Sequence, residues 1–470
     1  MNTKMNTRTE HDLLGDMTLP ADTWFGIQTQ RAVDNFALTG VPISHFPHFV
    51  AALAMVKAAA ARANLDLGLL APHKAEAILA ACDDIIAGRL HEAFVVDLIQ
   101  GGAGTSTNMN ANEVIANLAL EKLGHAKGDY AHLHPNDDVN KSQSTNDAYP
   151  TAVCVGLQFA AEPLMAAVAS LKRALEEKGR EFADVLKMGR TQLQDAVPMT
   201  LGQEFDAFAV NLGEDIDRIR EVCLLLCEVN LGGTAIGTGI NTHPDYAALA
   251  VRHLAEISGK PIVPAANLVE ATSDMGAFVL FSGILKRLAV KLSKVANDLR
   301  LLSSGPRTGL GEIHLPPMQP GSSIMPGKVN PVIPEAVNQT AYQVIGNDLA
   351  VTMAAEAGQL QLNAMEPLIV YNLLSSMKML GAACHMFEHR CIRGIRADRA
   401  QCQRHVDHSI GVITALVPHI GYGNASRIAA QALHSGATVR ELVIAEGLLT
   451  ELQLDRLLSP QSMLAPQSPI

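Results

Sequence analysis

Seven apolar residues, Phe281, Leu285, Leu288, Leu292, Val295, Leu299 and Leu302, follow one another at alternating steps of four and three through 22 residues. A stripe so narrow and so long must face a partner helix along its whole length, as in a coiled coil or an extended bundle. The pattern begins near Ser273, and Gly305-Pro306 stops it. A helix of roughly 30 residues is about 45 Å long, so it needs companions of similar reach. The chain supplies them. Leu157, Ala160, Leu164, Val168, Leu171 and Leu175 mark a helix running to about Phe182, with Pro163 as an expected kink. Further helices are expected over 201–229, 334–353 and 367–389. Apolar residues make up 48% of the chain but aromatics only 4%, so the apolar mass is Ala, Leu, Val, Met and Ile. That composition suits packed helices better than sheets. The expected fold is all-α, with five long helices in one bundle whose apolar stripes exceed what one subunit readily covers.

At 470 residues the chain is long enough for two or three domains. Its formal charge of −11 argues against nucleic acid or an anionic membrane as partner, since both select a basic face. Seven cysteines, at 82, 154, 223, 227, 384, 391 and 402, are scattered and odd in number. They fit free thiols in a reducing cytosol rather than a disulfide framework. Cys223 and Cys227 share a helix face, but no second pair completes a metal site, so no metal is expected. Met1 to Thr9 is polar, which does not fit a secretory signal, and no uninterrupted run of 18 apolar residues suggests a membrane span. The expected location is the cytoplasm.

Along the chain, residues 1–45 read as irregular, punctuated by Pro20, Gly26, Gly40 and Pro42, with a short helix from Thr29. Helices follow over 49–65 and 71–87, the second ending at Gly88. A glycine-rich stretch, Gly101-Gly102-Ala103-Gly104-Thr105, precedes a helix expected over 113–123. Residues 188–198 read as a polar break and 231–242 as a Gly/Thr-rich connection. Helices shorten after Asp398, and the tail from Ser459 reads as frayed. The expected division is a mostly helical domain over 1–143, the long bundle over 144–397, and a small helical domain over 398–470.

The most chemically loaded stretch is the loop 320–331, Pro320-Gly321-Ser322-Ser323-Ile324-Met325-Pro326-Gly327-Lys328-Val329-Asn330-Pro331. Its glycines and prolines exclude a regular element. Taken alone, such loops are mostly surface connections. Three other polar stretches share its design, each beside a helix start: Thr105; Ser144, Thr145 and Asn146; Thr191 and Gln192. Helix N-termini offer unpaired N–H groups and partial positive charge, so hydroxyls and amides beside them make a carboxylate receptor. Each residue alone is equally well read as a cap or a turn. No Walker A or Rossmann glycine pattern is present, so a small dicarboxylate fits better than a nucleotide.

Gly321 to Asn330 resembles the signature loop of the aspartase/fumarase superfamily, and the resemblance runs over nearly the whole chain. It implies a helical homotetramer with three domains per subunit, a central multi-helix core, and active sites each drawn from three subunits. Gln100-Gly-Gly-Ala-Gly-Thr-Ser106, Thr145 within Gln143-Ser-Thr-Asn-Asp147, and Glu356-Ala-Gly-Gln-Leu-Gln-Leu-Asn363 look like the aspartate ammonia-lyase branch. Gln192 stands where fumarases carry histidine. His134-Pro-Asn-Asp137 points the other way, since fumarases share it as a secondary anion site.

The implied reaction is reversible loss of ammonia from L-aspartate to give fumarate through an aci-carboxylate, with Ser322 as the base. The resemblance gives the β-carboxylate to Thr105, Ser144, Thr145 and Ser323. It gives the α-carboxylate to Thr191, Gln192, Lys328 and Asn330, and the amino group to Asn146. It implies no cofactor, though some members respond to divalent cations. The alternatives are class II fumarate hydratase and, more remotely, a non-catalytic structural homologue.

Overall fold

The computed structural model describes residues 6–464, so the ends of the polar N-terminal stretch and of the tail lie outside the described residues. It is 63% helical. In chain order come the strands β1 (Thr7–Asp12) and β2 (Gly15–Pro20), then helices α1 (Ile27–Asn35), α2 (Pro47–Asp66), α3 (Pro72–Ile86), α4 (Thr105–Lys122) and α5 (Thr145–Glu181). A second hairpin follows, of β3 (Leu186–Thr191) and β4 (Gln194–Thr200). Then come α6 (Leu201–Cys223), α7 (Tyr246–Ser258), α8 (Leu268–Ala271), α9 (Gly276–Leu302), α10 (Val332–Glu356) and α11 (Glu366–Arg390). Short helices close the chain: α12 (Arg399–His408), α13 (Val417–Ile420), α14 (Tyr422–Ser435), α15 (Val439–Ala445), α16 (Glu451–Leu457) and α17 (Pro460–Leu464).

The long helices stand where the apolar spacing puts them, and all seven seam residues of α9 are buried. The sequence reading needs correction elsewhere. The first 45 residues hold an antiparallel hairpin, β1 on β2, and the polar break at 188–198 is a second, β3 on β4. Each strand has only six or seven residues. The glycine and proline they contain, Gly189 and Pro198 among them, read as breakers. Helix α4 starts at Thr105 rather than at residue 113, because its polar first turns are buried and bonded. Helix α6 ends at Cys223, short of residue 229. Among the described residues the longest helix is α5, with 37 residues, while α9 has 27. By length and composition α5 could cross a membrane, but 56% of its apolar window is buried in the protein, as befits a core helix.

Residue contacts gather into two compact units. The first takes the chain up to 166, then 215–289 and 342–381; the second takes 167–214, 290–341 and everything from 382. Five long helices, α5, α6, α9, α10 and α11, each place one end in either unit.

Within the first unit, α2 buries 14 of its 20 residues, so it is an interior helix whose alanines let α3 and α7 approach closely. Helix α4 is buried as thoroughly, polar residues included. One of these, Glu113, accepts the N–H groups of Gly26, Gln28 and Thr29, closing the start of α1. Burial pushes its carboxyl up to about 7, against those hydrogen bonds. Along α10, Tyr342, Ile345, Leu349 and Met353 form an exposed apolar stripe at steps of three and four.

Within the second unit, Leu186 and Met188 of β3 pack with Val406, Leu416, Ile428, Val443 and Leu454 of the short C-terminal helices. Beside this core lies Glu312, fully buried. It meets Arg190 at 2.7 Å, His405 at 2.8 Å and Lys187 at 3.1 Å.

Candidate active site

The first unit brings together two of the four polar stretches. Gly104 precedes α4 with φ +88°, and a side chain there would meet the Tyr149 ring at 2.6 Å. Only glycine suits both demands. Thr105 follows, exposed at the helix start, with its hydroxyl donating to the Gly102 carbonyl at 2.7 Å. One turn on, Asn108 Nδ2 donates to Thr145 Oγ1 at 3.2 Å, which ties the start of α4 to the start of α5.

The stretch Ser144–Asn146 is held from below by Asp147. One Asp147 oxygen accepts the Ser144 N–H at 2.9 Å; the other accepts those of Gly232 at 2.9 Å and Thr234 at 3.0 Å. Burial pushes the Asp147 carboxyl up, opposed by these three donors. Ser144 Oγ accepts the Asn146 N–H at 3.3 Å. Asn146 Nδ2 donates to the Ala235 carbonyl at 2.7 Å, leaving its side-chain oxygen as the acceptor for a ligand.

The second unit holds the other two stretches. Thr191 and Gln194 close a two-residue hairpin turn in which Gln192 (φ +55°) and Leu193 (φ +65°) are both left-handed. Neither is a glycine, so this exposed turn carries backbone strain. Loop 320–331 is cinched at its neck. The Gly321 N–H donates to the Lys328 carbonyl at 2.8 Å, and Asn330 Nδ2 to the Gly321 carbonyl at 2.6 Å. One Asn330 amide proton is therefore spent on the loop. Ser322 Oγ accepts two backbone N–H groups, from Ile324 at 3.2 Å and Met325 at 3.0 Å. Ser323 and Lys328 are exposed. Among the described residues no hydrogen bond or ion pair joins the hairpin turn to the loop.

Two cavities, of about 320 Å³ beside Asn230 and about 500 Å³ beside Lys286 and Asp348, are lined by none of these residues. The seven cysteines are free. His125, Asp129 and His132 lie close enough to suggest a cation site. Their imidazole rings, however, stack at 3.8 Å and only 11° from parallel. Lone pairs lying in two such planes do not converge on one ion.

Sequence reasoning passed over Lys57, Asn108 and Asp147. Lys57 lies in the alanine-rich α2, and it is 1% exposed. It donates to Asn108 at 2.6 Å, Gln143 at 2.8 Å and Asn140 at 2.9 Å. Burial lowers its ammonium to about 7, while the Asp147 charge holds it up. The available signal was a lysine set between the apolar run 49–56 and the four alanines 58–61.

A family model described as Lyase matches residues 15–346, and one described as Fumarase C C-terminus matches residues 412–465. An aspartate ammonia-lyase of Pseudomonas fluorescens is 65% identical over 99% of this chain and 98% of its own length. A fumarate lyase/delta crystallin of Brucella melitensis, solved with cobalt bound, has a TM-score of 0.95 at 62% identity, covering 98% of this chain and all of that one. A class II fumarase of Schistosoma mansoni reaches a TM-score of 0.92 at 34% identity, covering 98% of this chain and 100% of that one. With the family model over most of the chain and relatives matched at more than half identity, the chain belongs to the lyase family of the aspartases and class II fumarases.

Proposed function

We propose that the chain is an aspartate ammonia-lyase that converts L-aspartate to fumarate and ammonia, reversibly. The observation that carries this is Ser322 Oγ under two backbone N–H groups, in a chain 65% identical to an aspartate ammonia-lyase. A free serine is too weak an acid to serve as a base near neutral pH. Backbone donors aimed at its oxygen favour the alkoxide, and the exposed Lys328 adds positive charge on the same loop. The alkoxide takes the proton from Cβ, becoming a neutral hydroxyl. The electron pair spreads into the β-carboxylate as a dianionic aci-carboxylate. That pair then forms the C=C bond as the C–N bond breaks and ammonia leaves, so the elimination balances without a cofactor.

Preformed donors lower the barrier most where charge accumulates. Thr105, Ser144, Thr145 and Ser323 serve the β-carboxylate. Thr191, Gln192, Lys328 and the remaining Asn330 proton serve the α-carboxylate. The free acceptor of Asn146 suits an ammonium. Loop 320–331 closes over the substrate by pivoting at its cinched neck. The exposed stripe of α10 supports self-association, and the family resemblance makes that a homotetramer with each site shared by three subunits. A cytoplasmic location accords with the free thiols.

Absorbance of fumarate, with L-aspartate and L-malate supplied separately, tests the reading. Fumarate from aspartate is expected; fumarate from malate alone would make the chain a hydratase. Ser322→Ala should lower turnover at least about 100-fold, since a positioned base is worth about 10²–10⁴. A smaller loss removes Ser322 as the base.

A further inference from the structure

We infer that Lys57 is a positioning residue that, through Asn108, points the hydroxyl proton of Thr145 at the substrate carboxylate. The inference rests on the reading of Thr145 as a carboxylate donor. Three side-chain amide oxygens surround Lys57 Nζ; as an ammonium it has only protons to give, so the atom of Asn108 that meets it at 2.6 Å is the carbonyl oxygen. The Asn108 amide nitrogen then faces the other way, and both its protons are committed. One goes to Asn140 Oδ1 at 3.1 Å and the other to Thr145 Oγ1 at 3.2 Å.

The orientation is locked a second time. Asn140 Oδ1 also receives Lys57 at 2.9 Å and Asn112 Nδ2 at 3.1 Å, so it too is an acceptor. Gln143 Oε1 takes the third ammonium proton at 2.8 Å, while its Nε2 donates to the Val139 and Lys141 carbonyls. Lys57, Asn108, Asn140 and Gln143 thus each have one permitted orientation. Thr145 Oγ1 receives a proton from below and gives its own to no group among the described residues. That proton is left for an anion above the start of α5, where the helix end also favours negative charge. The polarity matters because a hydroxyl free to rotate would offer its lone pairs to a carboxylate part of the time.

The test is a pair of double-mutant cycles on the full-length enzyme. Asn108→Asp keeps the shape and pairs with Lys57, but it replaces the donor by an acceptor that draws the Thr145 proton inward. Lys57→Met frees Asn108 to turn over. Each should lower kcat/KM for aspartate about 10- to 100-fold, the worth of one hydrogen bond to a charged group. In a Thr145→Ala background each should change it by less than about twofold. Melting curves check that the variants fold; Asn108→Asp carries the test if Lys57→Met does not. The inhibition constant of succinate, which cannot eliminate, should weaken in the same non-additive pattern. Equal losses with and without the Thr145 hydroxyl overturn the inference, as does an unaffected Asn108→Asp. Should wild-type protein fail to consume aspartate, the ammonia-lyase reading falls, while binding of succinate still decides the relay.

Discussion

At the scale of single residues, the candidate site depends on positions that tolerate one side chain each. Gly104 has both a left-handed backbone and the Tyr149 ring where its side chain would be. Gly104→Ala should therefore cost about 1–2 kcal/mol for the backbone and about 1–3 kcal/mol for overpacking the ring. Urea unfolding measures the sum, and an unchanged midpoint would refute it. Because Thr105 is the next residue, kcat/KM should fall as well. The sequence made this glycine visible as part of a loop, but it could not show that the neighbour to avoid is an aromatic ring 45 residues later. Residues with hydroxyl or amide side chains beside glycines were easy to single out. Lys57 and Asn108 were not, because burial is a property of the folded chain: Lys57 sits in a stretch that reads as plain helix, and Asn108 in the polar lead-in to a helix expected only from residue 113. The left-handed Gln192 and Leu193 escaped for the same reason: nothing in their side chains announces the turn that Thr191 and Gln194 force on them.

At the scale of elements, the helices were legible wherever a stripe persisted for several turns, as along α9. The β3–β4 hairpin was not, since pairing between short strands leaves little trace in either one. Its position depends on charge as much as on apolar packing. Glu312 is reached by Arg190 and Lys187 from the hairpin and by His405 from α12. Burial acts most strongly on Glu312 and raises its carboxyl. The Arg190 hydrogen bond, the Lys187 charge and the His405 hydrogen bond together outweigh it and hold the carboxyl below the usual range. A carboxyl lowered on folding contributes stability above its unfolded value, about 4.3, and loses it as pH falls through the folded value. Amide protection factors in β3 and β4, corrected for the slower intrinsic exchange in acid, should therefore fall on acidification below that point. Glu312→Gln should cost about 3–5 kcal/mol near neutral pH, because it leaves buried cations uncompensated. It should also flatten the acid response. An acid dependence equal to that of the wild type would exclude Glu312 as its source.

At the scale of the whole molecule, the fold class followed from composition and the long seams, whereas the way the four polar stretches assemble into one site did not. The first unit joins Thr105 to Ser144–Asn146, and the second carries Thr191, Gln192 and the 320–331 loop. The two cavities beside Asn230 and beside Lys286 and Asp348 involve none of them. The proposed tetramer with shared sites would let different subunits supply different stretches, and it would give the exposed α10 stripe a partner. It also makes a prediction that no self-contained subunit can meet. Thr145→Ala and Ser322→Ala proteins, each nearly inactive, are unfolded together in equal amounts and refolded. If Thr145 and Ser322 of one site come from different subunits, about one site in four draws both native residues in random tetramers, and about a quarter of native activity returns. If both come from the same subunit, every site keeps one defect and no activity returns. Refolding each variant alone controls for residual turnover, and sizing of the mixture confirms that mixed tetramers formed.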